Sequence, residues 1–280
     1  MKIIHVVNPV KVNPKSDLYD AQPITFESMH RSKKFLECRG IADEVTLAAA
    51  CYPEDESIVP DYFDEKFILK NSVLDFGDFD IPKKLPLVSE IIQKANSSGS
   101  YDFLIYTNVD IALQPFFYEF VFEQLNSGID GLVINRRTIP KYPGDIKKIN
   151  SMYAEIGETH KGYDCFIMKC ENIHLMEWGN VCIGANWVGR MLLTNTTGFS
   201  ENFQILKNSH LTFHLGNDKD WTGEKFKDYE IYNTREAFSA MKSLKKKEGY
   251  NSNEIISDFI DKLRRKAKKL DDDLSIIEGS

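Results

Sequence analysis

Residues 101–113 read YDFLIYTNVDIAL, and their pattern sets the expected architecture. The mostly apolar run 101–106 predicts a short buried strand. Two short polar side chains, Asn108 and Asp110, follow that strand one residue apart. Open α/β folds bind ligands at the carboxyl ends of their parallel strands. Since residues i and i+2 of an extended chain point the same way, we expect Asn108 and Asp110 to converge on one ligand.

Apolar strands alternate with helical patterns on both sides of this stretch. The predicted strands of the first half are 1–7, 44–51, 101–106 and 131–135. The predicted helices between them are 23–39, 84–95 and 114–125. This alternation favours an α/β fold with a mostly parallel central sheet flanked by helices. Further on, strands at 163–168 and 210–214 and a helix at 185–194 are expected to complete a pocket.

The bulk composition is that of an ordinary globular protein, with 280 residues, 42% hydrophobic and 28% charged. The short apolar run at the start meets Asn8-Pro9, so neither a signal peptide nor a membrane span is expected, and a cytoplasmic location follows. Five cysteines without CxxC spacing are interpreted as reduced and structural. The absence of P-loop, GxSxG and HExxH patterns disfavours an ATPase, a serine hydrolase or a zinc protease.

The charge is distributed unevenly along the chain. Residues 242–269 hold ten Lys/Arg against four acids, a local +6 that leaves −13 on the remainder of a chain whose net charge is −7. An apolar stripe at helical spacing accompanies this basic segment from residue 255 to residue 267. We expect residues 242–270 to contact either a subunit or the anionic inner face of a membrane, although a solvated helix face is an alternative. Nucleic-acid binding is disfavoured, because the remainder is acidic and the basic stretch lacks interleaved aromatics.

A carboxylate at a strand tip suits a hard divalent cation. Mg²⁺ and Mn²⁺ take oxygen ligands and keep coordination positions open for phosphate oxygens. The alternative is that Asp110 only caps the turn or helix that follows it.

The strand and its polar tip, Asn108-Val109-Asp110, resemble the DXD region of GT-A glycosyltransferases. The resemblance extends from the first strand to about Trp221. It implies that Asp110 binds the metal, Mn²⁺ or Mg²⁺, and that Asn108, which replaces the usual Asp, lies near the donor's ribose. It also implies transfer of a sugar from a nucleotide-diphosphate sugar to a glycan or lipid-linked acceptor, as in polysaccharide biosynthesis.

The resemblance gives the chain an expected division. A GT-A-like domain covers 1–230, with a nucleotide-binding half at 1–135 and an acceptor and metal-completing half at 136–230. A helical, basic extension covers 231–280.

A second segment, residues 209–221, reads SHLTFHLGNDKDW. Its β-branched and aromatic residues predict a strand, on which His210 and His214 share a face. A neutral imidazole can complete the coordination of a metal. GT-A enzymes often use a histidine well after the DXD region for this, which makes His214 the first candidate and His210 the second. The alternative is two strand histidines with backbone partners.

The resemblance also implies residues that bind the donor. The first loop, Asn8 and Pro9, is expected to hold the nucleotide base through backbone groups. Lys84 and Arg136, which follow a turn and a strand end, are candidates to neutralise the leaving diphosphate. The alternative for both is an ordinary surface charge.

An inverting transferase needs a carboxylate that accepts the acceptor's proton. Asp164, at the start of a predicted strand, and Asp218, on the histidine loop, are the candidates. The helix start at 184–187, where many inverting GT-A enzymes carry this base, has no acid. A retaining mechanism therefore stays open.

Two other functions remain compatible with the sequence. A sugar nucleotidyltransferase would use a similar sheet and Mg²⁺, but residues 8–11, Asn-Pro-Val-Lys, are a poor match to its Gly-rich phosphate loop. A non-catalytic nucleotide- or carbohydrate-binding module is the other, in which Asn108 has removed the chemistry.

Overall fold

The computed structural model describes residues 1–141, 145–216 and 226–278. The strands in these ranges are β1 (Ile3–Val7), β2 (Val45–Cys51), β3 (Glu65–Ile68), β4 (Phe103–Thr107), β5 (Ala112–Leu113), β6 (Gly131–Ile134), β7 (Arg137–Ile139), β8 (Glu158–Thr159), β9 (Cys165–Lys169), β10 (Phe203–Leu206) and β11 (Thr212–Leu215). The α-helices are α1 (Asp17–Phe35), α2 (Val88–Ser97), α3 (Phe117–Asn126), α4 (Ile149–Ala154), α5 (Val188–Gly198), α6 (Lys227–Leu244) and α7 (Glu254–Glu278).

A seven-stranded sheet forms the centre of the fold, in the order β10-β6-β9-β4-β1-β2-β3. Six of its strands run parallel, and β9 runs antiparallel to its neighbours β4 and β6. A smaller sheet has the order β5-β11-β7-β8. The predicted α/β class with a mostly parallel central sheet is therefore confirmed.

The strands of the central sheet form where the sequence has compact apolar runs. All five residues of β1, IIHVV, are buried, as expected for a strand covered on both faces. On one face, Ile3 and Val7 belong to a core cluster with Phe26 and Met29 of α1 and Val121 of α3. This packing fixes the strands whose carboxyl ends carry the polar residues described below.

None of the four predicted helices begins where the sequence places it: α3 and α5 begin three residues later than predicted, at Phe117 and Val188, and the first two helices depart further. The first was expected from residue 23 because proline favours the first turn, but α1 begins at Asp17 and holds Pro23 in its interior. The second was expected from residue 84, but α2 begins at Val88 because Pro86 and Leu87 form isolated β-bridges with Ser72 and Cys182.

The chain divides into two compact units. The first comprises the described parts of Met1–Lys70, Ile91–Ile173 and Ser200–Asp218, and it holds both sheets. The second comprises the described parts of Asn71–Glu90, His174–Phe199 and Lys219–Ser280, including α5, α6 and α7. The division at residue 230 that the sequence suggests stays a prediction.

In the second unit, α7 buries the apolar stripe seen in the sequence. Its buried residues are Ile256, Phe259, Ile260, Leu263 and Ala267. Their spacing of three and four residues places them on one helix face, which packs against α6 and α5. None of the described helices combines the length and apolar composition that crossing a bilayer requires.

Candidate functional site

The register of β9 brings three strand ends together. Cys165, the first residue of β9, pairs with Thr107 at the end of β4 and with Ile134 at the end of β6. An antiparallel strand begins where its neighbours end. Polar residues that follow β4 and β6 or precede β9 therefore lie at one edge of the sheet, namely Asn108, Asn135, Arg136 and Asp164.

The smaller sheet brings His214 to the same edge. Asp110 lies in the connection from β4 to β5, and β5 pairs with β11, which carries His214. The Oδ2 atom of Asp110 lies 3.1 Å from Nε2 of His214, although 104 residues separate them. The carboxylate and the imidazole named from the sequence are thus in contact.

The second ring nitrogen of His214 fixes the orientation of the imidazole. Nδ1 lies 2.8 Å from the carbonyl oxygen of Gly216, and only a protonated nitrogen can donate to a carbonyl. Nε2 is left facing Asp110. Burial alone would raise the pKa of Asp110, but its interaction with His214 and the charge of Arg136 lower it below the ordinary value. Asp110 is therefore an ionised carboxylate.

This pair fits the donor set of a shared divalent cation. The Oδ1 atom of Asp110 is buried without a hydrogen-bond partner in the described chain. Two ligands about 2.1 Å from a cation and at right angles lie about 3 Å apart, close to the observed separation. Across the residues the structure describes, no group of three or more His, Cys, Asp and Glu could hold a metal.

Arg136 and Asp164 form a buried ion pair beside Asp110. Nη1 of Arg136 lies 3.0 Å from Oδ1 of Asp164, and the two side chains are 11% and 7% exposed. Burial raises the pKa of Asp164, Arg136 opposes that rise, and the charge of Asp110 adds to it. The electrostatic coupling of Asp164 to both Asp110 and His214 indicates that the four groups form one cluster.

Asn108 has a different partner from Asp110. The backbone N–H of Ile111 donates to the carbonyl of Asn108 at 3.1 Å, so the chain turns here, whereas the predicted convergence of Asn108 and Asp110 requires an extended backbone. The hydroxyl of Tyr106 donates to Oδ1 of Asn108 at 3.2 Å. A ligand shared by Asn108 and Asp110 stays a prediction.

The first loop is held from two sides by Gln22 and Asp55, which no sequence pattern singles out. Asn8 and Pro9 follow β1 directly and are buried. The next residue, Val10, donates its N–H to Gln22 at 2.9 Å and accepts from the Gln22 amide at 2.8 Å. The N–H of Lys11 donates to Asp55 at 2.7 Å. The loop that is expected to hold the nucleotide base thus has a fixed backbone.

The remaining candidates are His210, Lys84 and Asp218. Nε2 of His210 contacts the side-chain amide nitrogen of Gln114 at 2.9 Å, so the second-choice histidine has a partner outside the Asp110 cluster. Lys84 is an exposed residue of the second unit. Asp218 lies outside the described residues.

Two buried side chains support the Asp110 turn and were missed from the sequence. His5 in β1 bonds through Nδ1 to the Tyr118 hydroxyl at 2.8 Å and through Nε2 to Oγ1 of Thr107 at 2.9 Å. Ser28 of α1 accepts the N–H of Leu113 at 2.9 Å. The chain is therefore anchored on both sides of Asp110. A histidine inside an apolar strand signals a need for buried partners, whereas a helical serine gives no such signal.

The fold is similar to that of solved structures of S. aureus TarS. TarS 1–349 matches with a TM-score of 0.53 and 9% identity, covering 93% of this chain and 71% of that one. The complex of TarS 1–349 with UDP-GlcNAc gives 0.54 and 9%, covering 93% and 72%. This match confirms the GT-A-like α/β class expected from the sequence. No protein-family model and no curated protein sequence matches the chain.

Proposed function

We propose that this protein transfers a sugar from a nucleotide-diphosphate sugar to a glycan or lipid-linked acceptor, with Mn²⁺ or Mg²⁺ held by Asp110 and His214. The observation that carries the proposal is the 3.1 Å contact of these two side chains at the carboxyl edge of a GT-A-like sheet. A nucleotide-sugar donor is supported by the shared fold with TarS, which has been solved with UDP-GlcNAc.

The chain's own groups have defined tasks in this proposal. Asp110 supplies an ionised carboxylate with one unpaired oxygen, and Gly216 holds the imidazole of His214 in place. When bound there, a divalent cation would neutralise the charge that develops on the leaving diphosphate. Because Asp110 and His214 are already oriented, little reorganisation is needed when the donor binds.

The other residues keep their expected roles within the proposal. Asn8 and Pro9 would hold the nucleotide base and Asn108 would lie near the ribose, while the role of Lys84 at the diphosphate stays a prediction from the sequence. For an inverting reaction, Asp164 and Asp218 are the two carboxylates proposed as proton acceptor, and Asp164 has the raised pKa that this role favours. Arg136, the other candidate for the diphosphate, is engaged with Asp164.

A thermal-shift panel of UDP-, GDP-, CDP- and dTDP-sugars, each with Mn²⁺ or with EDTA, tests the proposal. A ligand at 100 times its dissociation constant stabilises the folded chain by roughly 2.7 kcal/mol. The parent should show a shift with at least one donor that is larger with Mn²⁺. Asp110→Asn keeps the side-chain shape but removes the charge, so it should lose the metal-dependent part.

Asp130→Asn is the matched control. Asp130 accepts the backbone N–H groups of Glu201 and Asn202 at 3.0 and 2.8 Å, and it precedes β6, at the opposite edge of the sheet. The variant removes a carboxylate of the same unit and should keep the whole shift. If Asp110→Asn responds to donor and Mn²⁺ like the parent, the metal site is assigned wrongly.

A non-catalytic nucleotide-sugar-binding module is the second candidate, and Asn108 in place of the usual acid favours it. The two functions separate in a turnover assay with the donor that gives the largest shift. A transferase should release nucleoside diphosphate in the presence of Mn²⁺ and stop with EDTA. A binding module should show the thermal shift without release.

We also propose that residues 242–270 contact the anionic face of a membrane. Between residues 262 and 269, α7 carries six cations and no acid. Its apolar stripe is buried in the protein, while Lys262, Arg264, Arg265, Lys268 and Lys269 are exposed. The helix would therefore dock by charge and not by insertion of apolar side chains.

A further inference from the structure

Three buried polar atoms near Asp110 have no hydrogen-bond partner among the described residues. They are Nε of Arg136, Oδ2 of Asp164 and Oδ1 of Asn135. Their other ends are fixed, because Arg136 and Asp164 bind each other and the Asn135 amide donates to the carbonyl of His160 at 3.2 Å. Unpaired buried polar groups are unfavourable in a folded protein and call for an explanation such as a ligand.

The combined charge of Asn135, Arg136 and Asp164 disfavours phosphate as the ligand. Asp164 balances the guanidinium of Arg136, so the pair has no net charge to attract an anion. Both acceptor oxygens would also face the oxygens of a phosphate, which accept hydrogen bonds and cannot donate them when ionised. An uncharged ligand with its own donors fits better.

The three unpaired polar atoms, one donor and two acceptors, can all be satisfied by hydroxyl groups. Arg136 Nε is a donor, and the oxygens of Asp164 and Asn135 are acceptors. A hydroxyl can donate one hydrogen bond and accept others, so neighbouring hydroxyls of a sugar ring can satisfy all three atoms. These residues follow β6 or precede β9, at the same edge as Asp110.

We propose that Asn135, Arg136 and Asp164 form a subsite for the hydroxyl groups of the transferred sugar. The inference rests on the proposed function, because the sugar is covalently attached to the diphosphate that the cation at Asp110 would bind. In this arrangement Asp164 binds a sugar hydroxyl, and the role of proton acceptor falls to another group. The subsite therefore contributes to the choice of donor sugar.

The test compares the affinity of the protein for a nucleotide sugar with its affinity for the corresponding nucleoside diphosphate. Both ligands are titrated calorimetrically with Mn²⁺ into the parent and the variants, using the donor that gives the largest shift in the panel. Asp164→Asn should weaken binding of the nucleotide sugar about 10-fold or more, because hydrogen bonds to charged groups are the stronger ones. Binding of the nucleoside diphosphate should stay within about twofold, since it has no sugar to lose contacts.

A second variant keeps the ion pair intact. Asn135→Ala removes one unpaired acceptor without leaving Arg136 as an isolated buried charge, so it tests the subsite even if Asp164→Asn does not fold. Asn135→Ala should weaken binding of the nucleotide sugar roughly 2- to 10-fold, as expected for the loss of a neutral hydrogen bond, and leave binding of the nucleoside diphosphate unchanged. Asp64→Asn, which removes a carboxylate paired with Lys33 at the opposite edge of the sheet, should change neither affinity.

Three results would overturn the inference, each in a recognisable way. If Asp164→Asn binds the nucleotide sugar like the parent but loses turnover, Asp164 is the proton acceptor. If both affinities fall together in Asp164→Asn and Asn135→Ala, the residues serve the diphosphate or the fold. If the parent itself binds neither ligand, the proposed function fails and the subsite with it.

Discussion

A fall in pH from 7 to 5 should destabilise the fold through one buried histidine. His5 is fully buried in β1, and burial lowers its pKa from 6.5 to about 3. Both ring nitrogens bond to hydroxyls, of Tyr118 and Thr107, and neither contacts a carboxylate that would favour the charged form. His5 therefore stays neutral in the folded chain throughout this pH range.

The magnitude follows from the two pKa values. Below pH 6.5 the unfolded chain binds a proton on His5, whereas the folded chain does so only near pH 3. The stabilisation from neutral His5 is thus complete above pH 6.5 and is lost progressively as the pH falls toward 3. Between pH 7 and 5 the loss is about 2 kcal/mol, since each unit of pH between the two pKa values contributes about 1.4 kcal/mol.

Urea unfolding of the parent and of His5→Gln at pH 7, 6 and 5 measures this loss. Glutamine can bond to both hydroxyls but does not titrate, and every other titrating group is shared by the two proteins. The parent should therefore lose about 2 kcal/mol more unfolding free energy than the variant between pH 7 and 5. Equal losses in the two proteins would show that His5 is charged in the folded state or already neutral when unfolded.

Three further predictions concern a turn, the second unit and α7. Gly157 has a φ of +61° and a Cβ there would meet the backbone of Thr138, so Gly157→Ala should lower the unfolding free energy by about 1–3 kcal/mol in urea titrations. Asn233 is fully buried and bonds to the backbone of Cys182 and Asn186, so Asn233→Leu should lower the thermal midpoint by several degrees, with a loss of roughly 2–3 kcal/mol. The parent should sediment with vesicles that contain anionic lipid in low salt and be released from them in high salt. A variant in which the three exposed cations Arg265, Lys268 and Lys269 are replaced by Glu should not sediment with these vesicles.

The parts of the fold that could be predicted are those with strong local patterns. Compact apolar runs identified β1, β2, β4, β6, β9 and β11 to within two residues at each end. The strands β3, β5, β7, β8 and β10 were not predicted, since runs of two to four residues carry little periodic signal and form by pairing with other strands. The start of α1 was misplaced because Pro23 occurs inside the helix, where it is normally unfavourable.

The residues of the site were likewise predictable where the local sequence marks them, and not where they depend on contacts distant in sequence. Asp110 could be named because a polar residue at the end of a buried strand stands out from its neighbours. The residues that hold the Asp110 turn and the first loop could not, because Ser28 and Gln22 look like ordinary helix residues and act through contacts with Leu113 and Val10. The antiparallel direction of β9, which brings Asp164 to this edge, is likewise a property of the sheet and has no mark in the sequence of the strand itself.

Buried polar groups in the first unit fall into two kinds, and the difference bears on function. His5 is buried and both of its nitrogens are bonded, as expected for a group that serves the fold. Among the described residues, four charged side chains have a buried atom without a hydrogen-bond partner, and three of them meet at the edge of β4, β6 and β9, namely Asp110, Arg136 and Asp164. Stability alone would favour apolar replacements at such positions, because burying charged groups costs more than it returns unless all their hydrogen bonds are made. These groups are concentrated where β11 of the smaller sheet carries His214. A ligand explains this arrangement if it supplies the missing partners, with a cation on one side and sugar hydroxyls on the other.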